Sequence, residues 1–160
     1  MHNRSDEINN LLNPAFCGAV YVAMVDGYNS KSESNIPIYL PYVLMPIILH
    51  KDSRNTIPST AITKFHSWIQ SKEQVKIGLH KRVKSLEPFI SEAMLFLSGQ
   101  GLLMIDDLGA IELTSKTKIN KIIKNSESIS EYIRKAKTLG TICGNTHSDS
   151  TILALLGLQI

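Results

Sequence analysis

The sequence predicts a mainly α-helical fold with one β-hairpin, arranged as a winged helix-turn-helix-like core with additional helices at its N- and C-terminal ends. Three observations carry that expectation. Apolar residues recur at helical spacing through most of the chain. Two short apolar runs, residues 102–105 and 110–113, flank the turn Asp106-Asp107-Leu108-Gly109. Three helical stretches precede that pair, in the order of a winged helix. With 160 residues, 43% of them hydrophobic, the chain can bury roughly 70% of its unfolded surface. Neither Cys17 nor Cys143 is then needed as a staple. Length fits one domain or two small fused ones, and the pattern divides into 1–59, 60–115 and 116–160, packed as one compact unit.

Asn13-Pro14 opens the first helix: the Asn side chain accepts an early N–H, and proline at the first helical position loses nothing by lacking a donor. The helix should run to about residue 26, with Gly27 as its stop. Ala15, Ala19 and Ala23 repeat at i+4 with Gly18 alongside, a small-residue stripe that another helix can approach closely. Residues 15–25 are apolar nearly all round, which places the helix in the middle of the fold. The run is about half the ~20 residues a membrane span requires. Residues 28–35 read as a loop. In residues 36–49, Pro37, Pro41 and Pro46 exclude a central strand and fit a helix opened by one proline and kinked by another. The polar run HKDSRNTIPS closes the first segment.

From Thr60, Ala61, Ile62, Phe65, Trp68 and Ile69 share one helical face, and Val75, Leu79, Val83 and Leu86 follow at helical spacing. Glu87-Pro88 then begins a third helix that points Phe89, Ile90, Ala93, Met94 and Leu97 inward, until Gly99 and Gly101 end it. The hairpin comes next, with Gly109 in the positive-φ position. A lysine-rich helix, a further helix from Ser128 to about Leu139 and a C-terminal apolar segment, 151–158, complete the chain. Ser148 or Asp149 is its N-cap.

Charge is distributed in bands. Residues 64–84 carry six cations against Glu73, and residues 116–137 carry seven against Glu127 and Glu131. Between them Glu87, Glu92, Asp106, Asp107 and Glu112 stand without a base. Such bands suit a phosphate backbone or a partner with complementary patches; they also suit solvated helix faces. The usual winged-helix mode on DNA is opposed, because the would-be recognition helix carries Glu87 and Glu92 and the wing tip carries Asp106 and Asp107. Acids repel phosphate, and this face has no cation to release counterions. A protein-binding module fits better, and a purely structural core remains the plainer reading.

Few residues invite chemistry. Cys143, His147 and Asp149 lie close in sequence, but catalytic groups converge in space and are seldom strung along one loop. His2, His50, His66, His80 and His147 show no zinc-binding spacing, and the cysteines form no C-x-x-C pair. Gly99-x-Gly101 precedes a strand, so it cannot cradle a dinucleotide. No enzyme activity, metal or cofactor is expected in this chain. Asp6 and Glu7 stand where a signal peptide needs positive charge, so a cytoplasmic protein with no membrane partner is expected.

Three stretches taken together resemble a known family. They are Asn13-Pro14-Ala15-Phe16-Cys17-Gly18-Ala19, then Leu49-His50-Lys51-Asp52-Ser53-Arg54 leading to Ile57-Pro58, then the helix to Gly101-Leu102-Leu103. The C-terminal Ile152-Leu153-Ala154-Leu155-Leu156-Gly157-Leu158 matches the way many of its members end. The resemblance, to the middle component of bacterial three-component ABC systems, covers nearly the whole chain in order. Ser53 departs from the usual threonine, Ile57 from leucine, and the common Arg-Pro finish is missing.

The resemblance implies a small non-catalytic subunit encoded beside an ABC ATPase of the SMC or Rad50 kind and an effector, often a nuclease. The nearest such complex is Lamassu, a defence against phages and plasmids. By that analogy the chain bridges ATPase and effector and helps couple foreign-DNA sensing to effector activation. It would meet double-stranded DNA through the complex, and ATP and Mg would belong to the ATPase. The marked structural or interface positions are Asn13, Pro14, Gly18, His50, Arg54, Pro58 and Gly101. Candidate nucleic-acid or partner contacts are Lys76, Lys81, Arg82, Lys84, Lys121 and Lys124. The alternative is a free-standing winged helix transcription regulator using Lys76, Lys81, Arg82 and Lys84 on DNA.

Overall fold

The computed structural model describes residues 12–125, 129–146 and 148–158. Among these residues the elements run α1 (Pro14–Asn29), β1 (Ile36–Pro37), α2 (Leu40–Leu49), α3 (Lys51–Thr56), α4 (Phe65–Ser71), a 3-10 turn (Glu73–Val75), α5 (Leu79–Gly99), β2 (Leu103–Ile105), β3 (Ala110–Leu113), α6 (Lys116–Lys124), α7 (Ser130–Gly144) and α8 (Asp149–Leu155). The protein is mainly helical with a small three-stranded antiparallel sheet.

Helix α1 begins as its sequence dictates. Asn13 is extended, its Oδ1 accepts the Phe16 N–H at 2.8 Å, and Pro14 follows as the first helical residue. Every residue from Cys17 to Val25 is buried, so the helix that is apolar all round is surrounded by others, chiefly α7, α5 and α2. It does not stop at Gly27. A Cβ there would fall on the Lys137 carbonyl oxygen of α7, so this glycine is a point of close approach inside a helix that continues to Asn29. Across the same seam, a Cβ on Gly140 would fall on the Met24 carbonyl oxygen, and one on Gly144 would lie 2.5 Å from that of Tyr28. Helices α1 and α7 therefore meet backbone to backbone. Helix α7 runs past the expected end at Leu139 to Gly144; its expected start, Ser128, lies outside the described residues.

One buried polar atom has no part in this packing. Tyr21 is fully buried, its hydroxyl has no hydrogen-bond partner among the described residues, and burial pushes the phenol well above its ordinary pKa. An unsatisfied buried hydroxyl costs about 1–3 kcal/mol. Tyr21→Phe is therefore expected to leave the denaturation midpoint unchanged or raise it; a fall of more than about 1 kcal/mol would show that the hydroxyl is bonded in solution.

The hairpin forms where expected, with Gly109 at φ +74°. Asp106 organises it: its Oδ1 accepts the N–H groups of Leu108 at 2.8 Å and Ala110 at 3.0 Å. Those bonds hold its carboxyl below the usual range. The third strand is a correction. Residues 36–37, expected to begin a helix, pair with β3 as an edge strand, giving the order β1-β3-β2. Asn29 sets this up, accepting the Ile36 N–H at 2.8 Å and donating to the Ile111 carbonyl at 3.0 Å. Pro37 fits because it sits on an edge, where a missing donor is tolerated. Helix α2 then starts at Leu40 with Pro41 in its first turn and Pro46 inside.

The three helices expected before the hairpin are also corrected. Ile62 is 88% exposed, and α4 starts only at Phe65. Pro88 begins no new helix: it lies within the 21-residue α5. It is exposed, so the carbonyl it leaves unbonded on Lys84 can be met by water, while Leu79, Ile90, Ala93 and Leu97 hold the opposite face in the core. The helix, helix, helix, hairpin order of a winged helix is thus replaced by one short helix, a 3-10 turn and one long helix.

Candidate functional site

The polar stretch after α2 is a joint. His50 caps the start of the next helix. Its Nδ1 accepts the Ser53 N–H at 3.3 Å and lies 2.8 Å from Ser53 Oγ. Burial, and then the charge of Arg82, lower the His50 pKa, which keeps the ring neutral and Nδ1 free to accept. Arg54 performs the carbonyl capping: Nη1 donates to the Ile48 carbonyl of α2 at 3.0 Å. Arg54 is 6% exposed; its guanidinium lies 4.1 Å over the Tyr132 ring and places Nε 3.8 Å from Glu131 Oε1.

Tyr132 connects two of the recognised stretches. Its ring meets Phe16 of α1 edge-on, centroids 5.1 Å apart, and Arg54 lies over its face. One turn along α7, Lys135 Nζ donates to the Ile57 carbonyl at 2.5 Å, fixing the chain just before Pro58. Ile57 is extended, as a residue preceding proline should be. No motif marks Tyr132 or Lys135 in the sequence; their i, i+3 spacing, which puts both on one side of α7, is the available signal. Between these groups lies a groove of about 260 Å³ lined by Phe16, Leu49, His50, Arg82, Leu86 and Tyr132.

Of the cations named as contacts, Arg82 is spent internally. Its guanidinium donates to the carbonyls of Ile77 at 2.8 Å and Val75 at 3.1 Å, and reaches Ser53 Oγ at 3.4 Å. Lys76, Lys81, Lys84, Lys121 and Lys124 are exposed. Gly18 packs against α5, where an added Cβ would meet Leu97 and Phe96 side chains at 3.4 Å. Gly101 closes α5 in a Schellman motif at φ +69°, with Leu102 N–H on the Leu97 carbonyl and Gly101 N–H on that of Ser98, both at 3.0 Å. Thr114 Oγ1 donates to the Gly101 carbonyl, tying the cap to the end of β3. Gly101→Ala is expected to cost about 1–2 kcal/mol in urea unfolding, from the left-handed backbone alone; an unchanged midpoint would contradict that geometry.

The thiols are sealed. Cys143 is fully buried and its pKa is pushed far up by burial, while burial and Glu92 push Cys17 up to about 11. A thiol so placed is a poor nucleophile. His147, the other half of that constellation, lies outside the described residues. Among the described residues, no three His, Cys, Asp or Glu come together as metal ligands, and no helix is long and apolar enough to cross a membrane.

Fold and site define a mainly helical protein, built around one buried helix, whose motif residues join its elements from within. The chain belongs to the family described as ABC-three component (ABC-3C) system Middle Component 3, which it matches over residues 1–160. It is a middle component of such a system, and that membership implies the ATPase and the system's other components as partners. No curated protein and no solved structure matches the chain.

Proposed function

We propose that this middle component is a non-catalytic adaptor in a Lamassu-like defence complex. It bridges an ABC ATPase of the SMC or Rad50 kind and an effector of the nuclease class, and helps couple the sensing of foreign double-stranded DNA to effector activation. ATP and Mg are held by the ATPase, and the chain works in the cytoplasm.

The observation that carries the reading is a pair of chain segments of opposite charge, each with large apolar side chains exposed to water. Exposed Ile62 and Ile77 lie in the segment that carries exposed Lys64, Lys72 and Lys76; exposed Leu95, Phe96, Met104 and Leu108 lie in the one that carries exposed Glu92, Asp107 and Glu112. Exposed apolar residues rimmed by charge mark sites of protein association, and two unlike regions suit two unlike partners.

The test is co-expression with the neighbouring ATPase and effector, with affinity purification through this chain. Both should be retained, and the chain alone should neither hydrolyse ATP nor cut DNA. Retention of neither, or selective binding of an operator by the chain alone, would overturn the adaptor. Exposed Lys121 and Lys124 on α6 are expected to face DNA within the complex. Replacing both with Glu should reduce the slope of log affinity against log salt by about 2, one for each phosphate contact. An unchanged slope would assign them to solvation.

A further inference from the structure

We propose, resting on the adaptor reading, that the free edge of β2 accepts a strand from a basic, extended segment of a partner protein. Met104 and Leu108 serve as its apolar anchors, and Asp107 and Glu112 bind its lysines or arginines.

The backbone pattern identifies the edge. Thr114 N–H bonds the Leu102 carbonyl at 3.1 Å, Asp106 N–H bonds that of Ala110 at 2.8 Å, and Met104 is paired with Glu112. Residues 102, 104 and 106 therefore turn their peptide groups toward β3. Leu103 and Ile105, by the alternation of an antiparallel ladder, turn theirs to the opposite side; Leu103 is buried, so the edge open to a partner is the peptide group of exposed Ile105. With the order β1-β3-β2, no described strand pairs there.

The two edges of the sheet are unequal. On β1, Pro37 has no N–H to offer, a common way of blunting an edge. On β2 there is neither proline nor charge, and Met104 and Ile105 are 58% and 43% exposed. An edge of this kind invites pairing. Leu108, 88% exposed at the turn beside Asp107, extends the apolar surface.

Charge selects the occupant. Glu112 is the cross-strand neighbour of Met104 and is exposed, Asp107 is exposed at the tip, and Glu92 precedes exposed Leu95 and Phe96 by about one helical turn. Residues 85–115 contain no Lys or Arg. A nucleic acid would be repelled, and so would an acidic peptide. A segment that carries an apolar and a basic side chain two residues apart puts both on the face shared by Met104 and Glu112, the apolar one on Met104 and the long basic one reaching across β2 toward Glu112.

The test uses the co-expressed complex. Hydrogen exchange at Ile105 should slow at least tenfold in the complex relative to the free chain. A photo-crosslinking residue at position 108 should capture a Lys- or Arg-rich segment of one partner. The double variant Asp107→Lys, Glu112→Lys should lower retention of that partner at least tenfold while the free chain keeps its melting temperature. Unslowed exchange at the Ile105 amide, a crosslink to DNA or to an acidic segment, or full retention by a folded double variant would overturn the proposal while the adaptor stands. A wild-type chain that retains no partner would overturn both.

Discussion

Replacing Gly140 with alanine should remove about 2–3 kcal/mol of stability, lowering the melting temperature by roughly 5–12 °C for a chain of this size. The added Cβ meets main chain, not a side chain that could rotate away. It would fall on the Met24 carbonyl oxygen, with the Met24 carbonyl carbon and the Tyr28 nitrogen each at 3.0 Å. Those atoms belong to the most buried helix of the fold, so relief requires α1 and α7 to separate and to lose contact along the whole seam, which includes Gly27 and Gly144. Alanine's better helix propensity returns roughly 1 kcal/mol, and the figure above is net of it. Gly99→Ala is the control: nothing lies within 4 Å of a Cβ there, in the last turn of α5, so no loss is expected. A Gly140→Ala protein melting within a degree of the parent would mean that these helices do not pack backbone to backbone.

The second large effect is expected at Arg54. Truncation to alanine empties a buried site, leaves the Ile48 carbonyl without its donor and removes the cation from the Tyr132 face. The cavity and the lost bond together should cost about 2–4 kcal/mol. Glu131 limits the damage, because at half exposure it can return to water rather than remain as an unpaired buried charge. Arg54→Met fills the volume and should lose less than alanine. If both variants unfold at the parent midpoint in urea, the guanidinium is not the joint between α2 and α7 that the structure shows.

What could be read from the sequence follows from where the information is local. Asn13-Pro14 specifies its helix start within four residues, and Asp106 to Gly109 specifies its turn by side-chain bonds and one positive φ. The errors arose where a residue's role depends on something distant. Gly27 carries the ordinary signal for a helix end, and only the arrival of Lys137 from α7 makes it an interior contact. Pro88 carries the ordinary signal for a helix start, and only the packing of Ile90, Ala93 and Leu97 carries the helix through it. Ile36-Pro37 is too short to show a strand period; its pairing depends on Asn29 and on a β3 more than seventy residues away. The site behaved likewise. The resemblance marks His50 and Arg54, yet their roles, His50 capping the start of α3 and Arg54 the Ile48 carbonyl of α2, depend on α3, which a polar run does not announce.

The adaptor reading is tested most directly by native mass spectrometry of the ATPase and effector purified together with and without this chain. The account predicts one assembly containing all three, and separate ATPase and effector when the chain is omitted. An ATPase–effector assembly of equal abundance in its absence would contradict it.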